Sequence, residues 1–128
     1  GNVGASSFVF ANAILEAEEV ALVGFDFGYA PGTPPFNTQS YYELLDLLGD
    51  RIGEAFIDIK NPYTSETWIS DPTHYWYRNI FLEIVGVAGC RTFNCTEGGT
   101  LFGDGVECVT LKEFLEREKG GRPHVASV

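Results

Sequence analysis

Apolar residues fall along this chain in two rhythms, and the clearest feature is an unbroken run. Val20, Ala21, Leu22 and Val23 follow Glu19 with no polar interruption. Such a run suits a strand covered on both faces, as in a parallel sheet flanked by helices. It breaks at Gly24-Phe25-Asp26-Phe27-Gly28-Tyr29, where glycines bracket a carboxylate set between two aromatics. In open α/β sheets this strand end is the edge at which ligands bind. Elsewhere the spacing is helical. Phe8, Ala11, Ile14 and Leu15 predict a helix over Ala5 to Ala17, with Ser6 and Ser7 as caps or first-turn residues. Tyr41, Leu44, Leu45 and Leu48 predict a second, opened by Ser40 and stopped by Gly49. Trp76, Ile80 or Phe81, Ile84 and Val87 trace the apolar face of a longer helix. Ser70 or Asp71 caps it, Pro72 occupies its first turn, and Gly86 and Gly89 end it. Thr110 and Glu113 form a capping box for a last helix through Glu118.

Between the helices lie short extended pieces. Phe56, Ile57 and Ile59 make one, ended by Asn61-Pro62, and Trp68 with Ile69 make another. Arg91 to Cys95 is a compact strand running into Thr96-Glu97-Gly98-Gly99, and Val106 to Val109 is an edge strand after the Gly103-Asp104-Gly105 turn. Ala30 to Gln39, with Pro31, Gly32, Pro34 and Pro35, is a loop long and stiff enough to act as a lid. The alternation predicts one α/β domain with a mostly parallel sheet over residues 1–118, followed by a flexible tail over 119–128. A strand ending in a glycine-bearing turn with one carboxylate occurs twice, so Asp26 and Glu97 are expected to face one crevice.

Composition narrows the partners. At 128 residues, 45% hydrophobic and 14% aromatic, the chain is a globular domain rather than a disordered segment. A formal charge of -10 argues against a nucleic-acid groove or an anionic membrane surface as partner. It leaves room for a small phosphorylated ligand held by backbone amides or through a divalent cation. Cys90, Cys95 and Cys108 show no CxxC or Cys/His ligand spacing, which fits a reducing compartment. No apolar run approaches the ~18 residues of a membrane span, and no cleavable leader pattern is present. A cytoplasmic location is therefore expected. Gly1-Asn2-Val3-Gly4 reads as the middle of a loop entering a helix, as in a piece of a longer protein.

Several residues could carry chemistry. Asp26, flanked by Phe25 and Phe27, is the first candidate for a catalytic carboxylate, because the rings would desolvate it at a strand end; the alternative is that it pins the following loop. Glu97 could orient a sugar hydroxyl, bind a divalent ion or act as a base; alternatively it is solvated, and Gly98 and Gly99 serve the turn. Asn94 and Thr96 offer neutral hydrogen bonds at the same edge, although turn chemistry also accounts for them. The turn of Gly1, Asn2, Gly4 and Ser6 could cradle a phosphate, but it lacks both the full GxGxxG pattern and a Walker lysine. His74 lies in Asp71-Pro72-Thr73-His74-Tyr75-Trp76-Tyr77-Arg78, a cluster able to stack a base and clamp a phosphate. A histidine with no partner in sequence is more often structural than catalytic. No nucleophile elbow with a Ser/His/Asp order is present, which counts against a hydrolase.

These motifs, in this order, resemble the motility-associated factor (Maf) glycosyltransferase-like proteins, which share a Rossmann-like domain with archaeal 6-hydroxymethylpterin diphosphokinases. The resemblance rests on Gly1-Asn2-Val3-Gly4 before a helix, Leu22-Val23-Gly24-Phe25-Asp26-Phe27-Gly28-Tyr29, Ser40-Tyr41-Tyr42, and Asn94-Cys95-Thr96-Glu97-Gly98-Gly99. It implies a Rossmann-like three-layer sandwich of which this chain is the C-terminal part. It further implies transfer of a nonulosonic, sialic-acid-like sugar from a CMP-sugar to flagellin. Asp26 and Glu97 would then be catalytic, and Gly1, Asn2, Gly4, Ser6, Tyr29, His74, Asn94, Thr96, Gly98 and Gly99 would hold the nucleotide. The chain departs from the pattern twice. The upstream glycine-rich motif is missing, and Pro34-Pro35-Phe36-Asn37 stands where many members have histidines. Two other readings stay open: a diphosphokinase requiring ATP and Mg²⁺, with Asp26 or Glu97 as metal ligands, and a non-catalytic module docking a partner through Tyr29, Phe36, Tyr41 and Tyr63.

Overall fold

The structure is a computed structural model in which residues 2–119 are described. Beyond Lys119 the expected tail lies outside the described residues, as does Gly1. In chain order the elements are α1 (Val3–Val9), β1 (Glu19–Leu22), α2 (Tyr41–Leu48), β2 (Ile57–Lys60), β3 (Thr67–Ser70), α3 (Pro72–Val87), β4 (Arg91–Asn94), β5 (Val106–Cys108) and α4 (Leu111–Lys119). Helices and a parallel sheet are mixed, as expected of an α/β chain.

The sheet is small. Its three strands run parallel in the order β1-β4-β5, with Leu22 opposite Asn94 and Asn94 opposite Cys108. β2 and β3 do not join it; they pair with each other as a separate antiparallel hairpin. Alternation along β1 and β4 splits the core in two. Leu22 packs with Phe8, Phe81, Val85, Leu101 and Val106, so α1 and α3 cover this face. Phe93 packs with Cys95 and Phe114 from α4, with Ala21 and Val109 beside them. Both faces of the short strands are thus covered, which is why β1 reads as a continuous apolar run. Val23 is the correction: it lies past the strand end and is 58% exposed.

The helices also depart from their sequence patterns. Asn2, in extended conformation, caps α1 by accepting the Ala5 N–H at 2.8 Å, so the helix starts ahead of Ser6 and Ser7. It gives way to a π-helical stretch over Phe10–Ile14 and stops before Glu16, whose φ is +52°. In α3 the buried positions are Phe81 and Val85, while Trp76 and Val87 are exposed. The apolar face is therefore rotated from the one expected. Apolar residues surround this helix on most sides, and the deciding contacts are aromatic: the Phe81 ring lies 5.2 Å from Phe8, 5.3 Å from Phe25 and 5.8 Å from Phe27. α4 follows its capping signal, with Thr110 Oγ1 accepting the Glu113 N–H at 3.0 Å.

Candidate functional site

Two strand ends meet at the C-terminal edge of the parallel sheet, and backbone groups stitch them together. The Thr100 N–H donates to the Asp26 carbonyl at 2.8 Å. The Thr100 hydroxyl lies within hydrogen-bond distance of the Asp26 and Phe27 carbonyls, at 3.0 and 3.1 Å. From the other side, the Phe25 N–H donates to Thr96 Oγ1 at 3.0 Å. The β2-β3 hairpin closes against both turns. Asn61 Nδ2 donates to the Gly99 carbonyl at 3.0 Å, and the Trp68 indole lies so close to Gly98 that a Cβ there would meet its Cζ2 at 2.8 Å.

This arrangement brings Asp26 and Glu97 to one edge of the sheet. A cavity of about 310 Å³ opens beside Glu97, with Asn61, Tyr63, Asn94, Gly98 and Glu113 among its lining residues; Asp26 is not part of that lining. Gly99 packs directly on the Asp26 backbone, so the two turns are in contact. Burial raises the Asp26 carboxyl above its ordinary 3.8. Glu97 sits at φ +63° and accepts the Leu111 N–H at 3.4 Å, so it occupies the start of α4.

The neutral candidates serve structural bonds. Asn94 is buried; its Nδ2 donates to the Leu101 carbonyl at 2.8 Å and its Oδ1 accepts the Thr96 N–H at 3.0 Å. At the N-terminus Asn2 is used as a cap, Gly4 makes room for the Phe25 ring, and Ser6 is an exposed residue of α1. Gly1 lies outside the described residues.

His74 has partners that sequence reasoning missed. Asp71, 0% exposed, caps α3 by accepting the His74 N–H at 2.8 Å, and the same Oδ1 lies 2.9 Å from His74 Nδ1. The Tyr29 hydroxyl donates to Asp71 Oδ2 at 3.1 Å and accepts the Gln39 N–H at 3.0 Å. Burial raises the Asp71 carboxyl, but the His74 amide, the His74 ring and the Tyr29 hydroxyl together outweigh it and hold the carboxyl below 3.8. Burial is also the main cause that raises the Tyr29 phenol, with the Asp71 charge adding to it. An Asp-x-x-His spacing across a helix N-cap was a usable signal, since cap and third helical residue share one side. Tyr29, 42 residues away, gave none.

Among the described residues no group of three or more His, Cys, Asp or Glu side chains is arranged to hold a metal, and no helix is long and apolar enough to cross a membrane. Comparison with protein-family models, with curated proteins and with solved structures finds no match for this chain.

Proposed function

We propose that the chain is part of a nucleotide-dependent transferase of the Maf-like type, which moves a nonulosonic sugar from a CMP-sugar to a protein acceptor such as flagellin. The observation that carries this reading is the joining of two carboxylate-bearing strand-end turns through Thr100 and the Asp26 carbonyl. Binding at a parallel-sheet edge needs such a rigid, glycine-lined frame, because the ligand must approach backbone. The groove beside Glu97 is the place for the nucleotide, with Tyr63 available to stack and Glu97 to meet a ribose hydroxyl. Asp26 stands on the adjoining turn as the second carboxylate of this edge, its pKa raised by burial. In this reading the three parallel strands form one portion of a larger Rossmann-like three-layer sandwich.

In the diphosphokinase alternative, Asp26 or Glu97 would each have to contribute a ligand alongside the phosphates of ATP. One experiment separates the readings: thermal-shift titration with CMP, CDP, UDP, GDP and ATP, each with and without Mg²⁺. The expected result is stabilisation by CMP without metal, lost in Glu97→Ala. Stabilisation by ATP only with Mg²⁺, accompanied by AMP release, selects the diphosphokinase. Stabilisation by none of them overturns the transferase reading and leaves a docking module.

A further inference from the structure

The Tyr29, Asp71 and His74 side chains form a set of polar groups that do not line the cavity beside Glu97. A helix cap needs one acceptor for one free amide, and the His74 N–H to Asp71 Oδ1 bond supplies it. The other two contacts to Asp71 fix side chains instead. An ionised carboxylate can only accept, so His74 Nδ1 carries the proton toward Asp71, and in the neutral ring the lone pair lies on Nε2. The Tyr29 ring meets the imidazole edge-on with centroids 5.2 Å apart, and the Tyr29 hydroxyl is itself held by the Gln39 amide. Segments far apart in sequence thus orient one ring, whose side chain stays 30% exposed.

Strand β3 links this ring to the groove. Trp68 packs on Gly98, which lines the groove, and Asp71 follows three residues later, about 10 Å along an extended chain. The hairpin that packs on the groove through Trp68 therefore leads directly into the Asp71 cap and the His74 ring.

We propose that His74 is the general base of the transfer and Asp71 its positioning residue, an inference that rests on the transferase reading. Nε2 takes the proton from the acceptor hydroxyl as its oxygen bonds to the anomeric carbon. The bond from that carbon to the phosphate oxygen breaks, its electron pair leaves with CMP, and His74 passes the proton to solvent.

The test uses the whole chain with His124→Gln, so that one imidazole remains of the two in the sequence. Long-range ¹H–¹⁵N correlation locates the ring proton, and CMP release from CMP-N-acetylneuraminic acid, with water as acceptor, reads the chemistry. The expected result is a proton on Nδ1, and release that falls at least tenfold in His74→Gln while CMP still stabilises the protein. Asp71→Asn keeps the cap acceptor and is expected to shift the ring proton toward Nε2 and slow release severalfold. A proton on Nε2 in the parent, or unchanged release by His74→Gln, overturns the proposal. No CMP binding or release by the parent, with the ring proton still on Nδ1, instead overturns the transferase reading and removes the step with it.

Discussion

A Cβ on Gly99 would stand 2.8 Å from the Cα of Asp26 and 2.9 Å from its carbonyl oxygen. The obstacle is backbone, which cannot rotate away as a side chain can, and Gly99 also sits at φ +74°. Gly99→Ala therefore combines a left-handed penalty of roughly 1–2 kcal/mol with an overlap costing about 1–3 kcal/mol. The expected loss is about 3 kcal/mol in urea unfolding, with little change in the dependence on urea. The same substitution should push the two turns apart and weaken any nucleotide-induced stabilisation more than its cost in stability explains.

Thr100, fully buried, is the second fastener between these turns. Thr100→Val keeps shape but removes the hydroxyl, leaving the Asp26 carbonyl with the Thr100 amide alone and the Phe27 carbonyl with the Ser70 hydroxyl. One hydrogen bond is lost and one acceptor is under-satisfied, so a cost of about 1–2 kcal/mol is expected. Thr100→Ser should recover part of this, because the hydroxyl returns while the methyl contact does not. Chemical denaturation of both variants checks the order Thr, Ser, Val.

The parts of this fold that could be read in the sequence were those governed by nearest neighbours. The strand over Val20 to Leu22, the Thr110 cap and the Gly49 stop follow from apolar continuity, a hydroxyl at the right spacing and a positive φ. Tertiary competition decided the rest. Phe81 and Val85 face the core in place of Trp76 and Val87 because Phe8, Phe25 and Phe27 converge there, and no local rule counts those rings. β2 and β3 read as strands, but nothing local shows that they form a hairpin apart from the parallel sheet, with Ile69 bridging to Tyr29. At the site, the sequence drew attention to Glu97 and His74 but could not show that Asn94 is consumed by the Leu101 carbonyl or that Asp71 and Tyr29 hold the His74 ring.

Asp26 gives a prediction with a definite sign. Burial raises its folded pKa above 3.8, so the folded state binds the proton more tightly than the unfolded chain does. The ionised form therefore opposes folding above that raised value, and the penalty disappears as pH falls below 3.8. Asp26→Asn removes the penalty. Its melting temperature at pH 7 should exceed the parent's by about 1–2 °C, the effect of a few tenths of a kcal/mol in a domain of this size. Near pH 3 the two curves should coincide. A lower melting temperature at pH 7 would mean that the charge itself makes a favourable contact.

Asp71 has the opposite sign, and the contrast tests whether it works as an ionised acceptor. Its folded pKa lies below 3.8, because the His74 amide, the His74 ring and the Tyr29 hydroxyl outweigh burial. Its stabilising contribution is complete above 3.8 and is lost as pH falls through the lower folded value. Asp71→Asn retains an oxygen for the His74 amide but gives up the charge, so it should cost about 1 kcal/mol at pH 7. Asp71→Ala removes the cap and also strands the Tyr29 hydroxyl and His74 Nδ1, for an expected loss of about 2–4 kcal/mol. The difference between the parent and Asp71→Asn should shrink steadily below pH 3.8, whereas a cap role alone would leave it independent of pH. Denaturation of the parent and the two variants at pH 7, 4 and 2.5 separates these outcomes. A pH-independent gap would remove the charged partner that fixes the His74 ring.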